Sequence, residues 1–173
     1  MDDDRARPAA GPAMPPGLTA EVLLDSSISA DEEQSLVAAL RGCGVTAEAK
    51  IIPPRRDAQA LTWMVLVSLP VQAFISGIGT AMAENAYAAF VRAAQRILGR
   101  HRQPGPDRPP PVLVLQDPAT GLRIALEPDL PGDAHQQLLA LDLTRYRYGP
   151  LHYDRGLRRW RSELDEAAGG PAS

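Results

Sequence analysis

Residues 145–161 hold the densest set of side chains that could bind a ligand. Six arginines and a single carboxylate, Asp154, fall in these 17 residues, which gives the segment a formal charge of +5. Guanidinium groups bind phosphate and carboxylate bidentately, and aromatic rings offer stacking surfaces for bases. The segment therefore indicates binding of nucleic acid or of another anionic ligand. The candidate residues are Arg145, Arg147, His152, Arg155, Arg158, Arg159, Trp160 and Arg161.

A structural role explains the same residues and is favoured over ligand recognition. Alternate residues of a strand face opposite sides, so the aromatic residues here could face a core while the arginines face water. Arginine is also the ordinary cation of this chain, because 17 of its 18 basic residues are Arg and only Lys50 is Lys. That ratio is typical of GC-rich coding, as in actinobacteria. An arginine cluster is therefore weaker evidence for nucleic-acid binding than it would be elsewhere.

Signatures of catalysis are missing from the sequence. It contains no Gly-x-Ser-x-Gly elbow, P-loop, His-Glu-x-x-His motif or EF-hand loop. His152 and Asp154 have the spacing of an acid–base pair on one face of a strand, but no nucleophile accompanies them. Gly77 and Gly79 lack the third glycine of a dinucleotide-binding loop. We predict no catalytic residue and lean towards a protein that is not an enzyme.

Metal and redox chemistry are equally unsupported by the sequence. The three histidines, His101, His135 and His152, are scattered, so a metal site would need carboxylates from unrelated segments. The single cysteine, Cys43, excludes a disulfide within the chain and lies between two glycines at a predicted helix end. We predict neither a metal nor a cofactor.

Net charge and hydropathy restrict the partners further. The chain has 173 residues, 45% of them hydrophobic, and a net charge of −3, so its overall charge does not favour nucleic acid or anionic membranes. Residues 58–83 carry no charge and raise the alternative of membrane association. Pro70 and Gln72 interrupt this segment, and its hydrophobic period changes at Pro70. A strand followed by a helix explains that change better than a spanning helix.

The elements that would position these residues follow from hydrophobic period and capping signals. Strands are expected at 20–25, 45–51, 61–69 and 112–115, with a first helix after Ser29 and a long amphipathic helix at 71–100. Ser29 and Glu32 form a capping box, and Gly77 and Gly79 suit a kink in the long helix. The order βαββαβ predicts a ferredoxin-like α+β fold.

Three smaller elements extend this predicted sheet. A β-hairpin turns at residues 117–121, where Gly121 is free to adopt positive φ, and a short helix runs to about residue 141. A C-terminal hairpin over 146–161 is expected to turn at residues 154–156.

We predict a disordered leader at 1–17, one domain at 18–166 with a Pro-rich connector at 103–111, and a disordered tail at 167–173.

Taken together, the sequence favours a non-catalytic interaction or regulatory module in the bacterial cytoplasm. The apolar residues of helix 71–100 exceed what so small a sheet needs, which indicates a protein partner or a second copy on that helix. Nucleic-acid or anionic-ligand binding through the C-terminal hairpin is the first alternative. Membrane association through residues 58–83 is the second.

Overall fold

A computed structural model describes residues 17–52, 63–77, 81–101 and 111–169 of the chain. The described part has a mixed α+β fold. Its elements are, in order, β1 (Leu18–Asp25), α1 (Ala30–Gly42), β2 (Val45–Ile52), β3 (Trp63–Ser68), α2 (Val71–Gly77), α3 (Ala81–Arg100), β4 (Val112–Gln116), β5 (Arg123–Leu126), α4 (Gly132–Leu139), a 3₁₀ turn (Leu143–Arg145), β6 (His152–Asp154), β7 (Arg159–Arg161) and α5 (Glu163–Ala167).

The first five strands form one mixed sheet in the order β2-β1-β3-β4-β5. The pairs β1–β2 and β3–β4 are parallel, whereas β1–β3 and β4–β5 are antiparallel. This order differs from the ferredoxin-like one, in which a further strand is inserted between the two parallel strands of each βαβ unit. Here each helical connection leads directly to the neighbouring parallel strand, so two unsplit βαβ units lie side by side.

The hydrophobic core lies between one face of this sheet and the helices α1 and α3. Alternate residues of the central strands point into it, and most of them are inaccessible to solvent. The largest fully buried side chains include Leu24, Leu36, Leu40, Phe74, Phe90, Ile97, Leu113, Leu115 and Ile124. The rings of Phe74 and Phe90 meet edge to face, with their centroids 6.1 Å apart. The described core is thus mainly aliphatic, with an aromatic group that includes Phe74 and Phe90 and a separate aromatic pair, Tyr153 and Trp160.

The predicted helix 71–100 is two helices, α2 and α3, on either side of residues 78–80, which lie outside the described part. Much of the apolar face of α3 is buried in this chain's own core, including Phe90, Ala94, Ile97 and Leu98. The excess of apolar helix inferred from the sequence is therefore largely used by intramolecular packing. Among the described residues of the uncharged segment 58–83, Val65, Val67 and Phe74 are likewise buried.

Several local signals have the structure that the sequence predicts. The Ser29 hydroxyl accepts from the Glu32 N–H, and the Glu32 carboxylate accepts from the Ser29 N–H at 3.0 Å, which completes the capping box of α1. Gly121 has φ of 74°, the left-handed conformation that the β4–β5 turn requires and that side chains disfavour.

Other predictions need correction or fall outside the described residues. The C-terminal hairpin is shorter than the predicted 146–161, because only three residues on each side pair and its turn spans residues 155–158. The residues after this hairpin form α5, which was not predicted from the sequence; its signal is Ser162 as N-cap before three acidic residues. The leader at 1–16, connector residues 103–110 and tail residues 170–173 lie outside the described part.

Candidate functional site

Most of the predicted arginine cluster is neutralised by carboxylates of this chain. The guanidinium of Arg155 lies 2.9 Å from Asp129 and 3.2 Å from Glu127, and that of Arg158 lies 3.0 Å from Asp133. These acids belong to the segment between β5 and the first turn of α4. The two arginines therefore attach the turn of the C-terminal hairpin to the preceding helix.

The other two hairpin arginines are paired on the opposite side, against α5. Arg161 binds both Asp154 and Glu166, and Arg159 lies 3.7 Å from Glu166. The N–H of Leu157 and then the Arg161 guanidinium hold the pKa of Asp154 below its usual value. Asp154 is thus a structural ion-pair partner, and its proximity in sequence to His152 assembles no acid–base pair with a nucleophile among the described residues.

The aromatic residues of the hairpin divide between core and surface. Trp160 is buried, its indole N–H donates to the Ala134 carbonyl at 2.8 Å, and its ring meets that of Tyr153 edge to face. Trp160, a predicted stacking surface, therefore has no free face for a base. His152 is half-buried opposite Arg161 in the hairpin, whereas Tyr148 is 62% exposed.

Two of the predicted arginines remain outside this ion-pair network. Arg145 and Arg147 are exposed, and neither lies within ion-pair distance of a carboxylate in the described ranges. Hydrogen bonds from Thr144 are the main cause of the lowered pKa of the Asp142 carboxyl, and the charge of Arg145 makes a smaller contribution. Arg145 thus interacts with the charge of Asp142, whereas no such interaction is found for Arg147 in the described residues.

Arg147 lines a cleft of about 400 Å³ between three segments of the fold. A cavity of this size falls in the range of small-molecule and peptide side-chain sites. Its walls come from the start of α2, the β4–β5 turn and the residues after α4. The lining residues are Val71, Gln72, Asp117, Thr120, Leu122, Leu143, Thr144, Tyr146 and Arg147.

Two polar side chains of the cleft, Asp117 and Gln72, accept backbone hydrogen bonds that hold its walls together. Asp117 accepts from the N–H groups of Val71 at 3.1 Å, Ala119 at 2.9 Å and Thr120 at 3.0 Å. The Gln72 side-chain carbonyl accepts from the Leu143 N–H at 3.2 Å. Because these bonds join all three segments, the cleft is formed before any ligand enters.

The floor of the cleft is apolar and its rim is charged on one side. Val71, Leu122 and Leu143 are buried at its base, whereas Thr144 and Arg147 are exposed. Asp117 is a carboxylate whose oxygens accept from three N–H groups, and Arg147, which has no ion-pair partner in the described part of the chain, supplies the cation of this site. The arrangement suits a ligand that combines an apolar group with an anion.

A buried carboxylate of α5 fixes the loop that carries Arg147. Asp165 is 5% exposed and accepts from the N–H groups of Arg147 at 2.8 Å, Tyr148 at 3.1 Å and Gly149 at 3.0 Å. Gly149 has φ of 24°, and a Cβ there would lie 3.0 Å from Leu122. The sequence did not single out Asp165, although its position three residues after Ser162 is a capping signal.

The Tyr87–His135 pair and Cys43 lie outside the cleft. The Tyr87 hydroxyl is 3.2 Å from Nδ1 of His135, and burial lowers the pKa of that imidazole and raises the pKa of the phenol. Burial also raises the pKa of the Cys43 thiol to about 11. Cys43 is therefore a protonated thiol at neutral pH, which makes it a weak nucleophile.

In residues 17–52, 63–77, 81–101 and 111–169, no three His, Cys, Asp or Glu side chains are arranged to hold a metal ion. Across the same residues, no helix has both the length and the apolar character needed to cross a membrane.

No protein-family model, curated protein or solved structure matches the chain.

Proposed function

We propose that this protein is a non-catalytic interaction module that binds a protein segment in the Arg147 cleft. The observation that carries the proposal is the preformed cleft with an apolar floor and, at its rim, the exposed Arg147, which pairs with no carboxylate of the described ranges. The segment presents a large apolar side chain to the floor formed by Val71, Leu122 and Leu143. A neighbouring carboxylate of the segment pairs with the Arg147 guanidinium, which can donate two parallel N–H bonds to it.

The geometry supports this function because binding requires little ordering of the receptor. Asp117 and Gln72 hold the walls, and Asp165 holds the backbone of Arg147 from below. A preorganised site saves the entropy that an adaptable loop would lose on binding. The Tyr146 ring, half-buried in the lining, adds an apolar surface beside the cation.

A selection from a random octapeptide library displayed on phage tests the proposal. We expect the enriched peptides to combine an acidic residue with a large apolar residue, and to bind Arg147→Gln at least about tenfold more weakly, since a charge-assisted hydrogen bond is lost. Arg92→Gln, which changes an exposed arginine on α3, is the matched control and should bind as the unmodified protein does. Enrichment of neutral peptides, or equal binding to Arg147→Gln, would refute the proposal.

A simpler probe separates the charge from the apolar contact. In an NMR titration, 4-phenylbutyrate should shift the amide signals of Thr144 and Arg147, whereas 4-phenylbutyramide, its uncharged analogue, should bind several-fold more weakly. Arg147→Gln should abolish the difference between the two compounds. Equal shifts from both compounds with the unmodified protein would show that Arg147 does not select an anion.

The nucleic-acid alternative rests on fewer groups than the sequence indicated, because four of its six arginines are ion-paired. Arg145, Arg147 and the exposed Tyr148 remain available to phosphate and base. A 5′-phosphorylated dodecanucleotide distinguishes this alternative. Salt-sensitive binding that Arg145→Gln and Arg147→Gln together abolish would favour it over the peptide.

A further inference from the structure

The edge strand β2 has a side that no strand covers within the described residues. It pairs with β1 in parallel register along its whole length, from Leu18–Val45 to Asp25–Ile52, and it ends the sheet. Its eight residues contain no proline, so every residue keeps its N–H donor, and no described strand pairs with the N–H and C=O groups on its outer side. Such an edge can pair with a further strand.

Side chains on the helix-facing side of β2 become more exposed along the strand. Val45 is 1% exposed and Ala47 and Ala49 are half-buried, but Ile51 is 54% exposed. Ile51 is one of four large hydrophobic residues that are exposed in the described part of the chain. An additional strand on this edge would shield it from water.

The opposite face of β2 carries alternating charges. Glu48 and Lys50 both lie on this face, and Lys50 is 2.7 Å from Glu21 of β1. The Glu21 contact, with a smaller contribution from Glu48, raises the pKa of Lys50. Both side chains of the Lys50–Glu21 pair are about half exposed, so a second chain could approach them.

We propose that β2 pairs antiparallel with β2 of a second copy, about a two-fold axis through Ala49. We place this two-fold axis perpendicular to the sheet, so that the helix-facing sides of the two copies lie on the same side of the joined sheet. Residues that lie opposite each other in the two β2 strands therefore belong to the same face. Centring on Ala49 places Glu48 opposite Lys50 of the second copy, and Ala47 opposite its Ile51.

The neighbouring registers are disfavoured by charge. Centring the axis on Glu48 opposes two glutamates, and centring it on Lys50 opposes two lysines. Like charges directly opposite each other destabilise a sheet, whereas opposite charges stabilise it. The register about Ala49 places each Glu48 opposite a Lys50 of the other copy, and it places Ala47 beside the exposed Ile51. The strand is therefore complementary to itself in one register.

Charge reversal tests the proposal on the full chain by sedimentation velocity at low ionic strength. Glu48→Lys should oppose two lysine pairs and Lys50→Glu two glutamate pairs, and each change should weaken the dimer at least about tenfold. An equimolar mixture of the two variants should form a heterodimer, because every opposed pair is then complementary. The double variant E48K/K50E should regain the homodimer.

Two charge reversals away from β2 serve as controls. Glu163→Lys on α5 and Arg92→Glu on α3 change charge by the same amount away from β2 and should leave the dimer intact. Circular dichroism confirms that each variant is folded. A monomer at 200 μM, or a dimer that the β2 reversals do not alter, would refute the proposal. So would pairing of β2 only with a different protein.

Discussion

The carboxylate of Asp165 holds the backbone of Arg147, with an N–H to Oδ1 distance of 2.8 Å. Burial alone would raise the pKa of Asp165, but hydrogen bonds from the N–H groups of Arg147, Tyr148 and Gly149 and from Ser162 lower it overall. One buried acid on α5 therefore fixes the loop that presents the cation of the cleft. Stability and binding are linked through this contact.

Replacement of Asp165 should be the most damaging single change near the cleft. Asp165→Ala leaves three N–H groups without their acceptor, and we expect a loss of about 3 kcal/mol in the free energy of unfolding. Urea denaturation at pH 7 measures this loss. Glu163→Ala, at an exposed position of the same helix, should cost less than about 0.5 kcal/mol. Equal losses would show that the Asp165 contacts are weak.

Asp117 should matter to the cleft for a similar reason. Asp117→Ala removes the acceptor for the N–H groups of Val71, Ala119 and Thr120, and so releases the β4–β5 turn from α2. We expect a loss of about 1–2 kcal/mol in stability. Hydrogen exchange of the Val71 amide should accelerate relative to that of core amides. An unchanged Val71 amide would contradict the role assigned to Asp117.

The Glu32 carboxylate should make stability depend on pH. Burial would raise its pKa, but hydrogen bonds from Ser29 and His101 lower it below the ordinary value. A lowered folded-state pKa stabilises the protein above the unfolded-state pKa of about 4.3, and this contribution is lost as pH falls through the folded-state value.

Glu32→Gln measures that contribution directly. Its cost in unfolding free energy, from urea titrations between pH 7 and pH 3, should be largest at neutral pH and should shrink below about pH 4. Asp31→Asn removes a charge from an exposed position in the same turn and should cost less at pH 7. A cost for Glu32→Gln that stays constant over this range would contradict the assignment.

Trp160 should act as a structural residue. Trp160→Phe keeps a ring in the core but leaves the Ala134 carbonyl without its indole donor, and we expect a loss of about 2 kcal/mol. Thermal denaturation followed by circular dichroism measures it. Binding of the octapeptides selected for the cleft should be unchanged at a temperature where the variant is folded. Lost peptide binding by a folded variant would place Trp160 in the site.

The local elements were largely predictable because their signals lie within a few residues of one another. The Ser29–Glu32 capping box and the Gly121 turn depend on backbone geometry that neighbouring residues impose. The α5 helix had a comparable signal in Ser162 and was missed. The strand order was not predictable in this way, because it depends on which strands pair after each helix returns the chain to the sheet.

The sequence by itself determined the α+β composition, the capped first helix and the unusual density of arginine near the C-terminus. Only the tertiary structure decided what those arginines do. Arg155, Arg158, Arg159 and Arg161 meet acids 5 to 28 residues away in the chain, whereas Arg147 lies beside an apolar cleft. The residue type determines that an arginine side chain is positively charged. Whether that charge can bind a ligand depends on which carboxylates the folded chain places beside it.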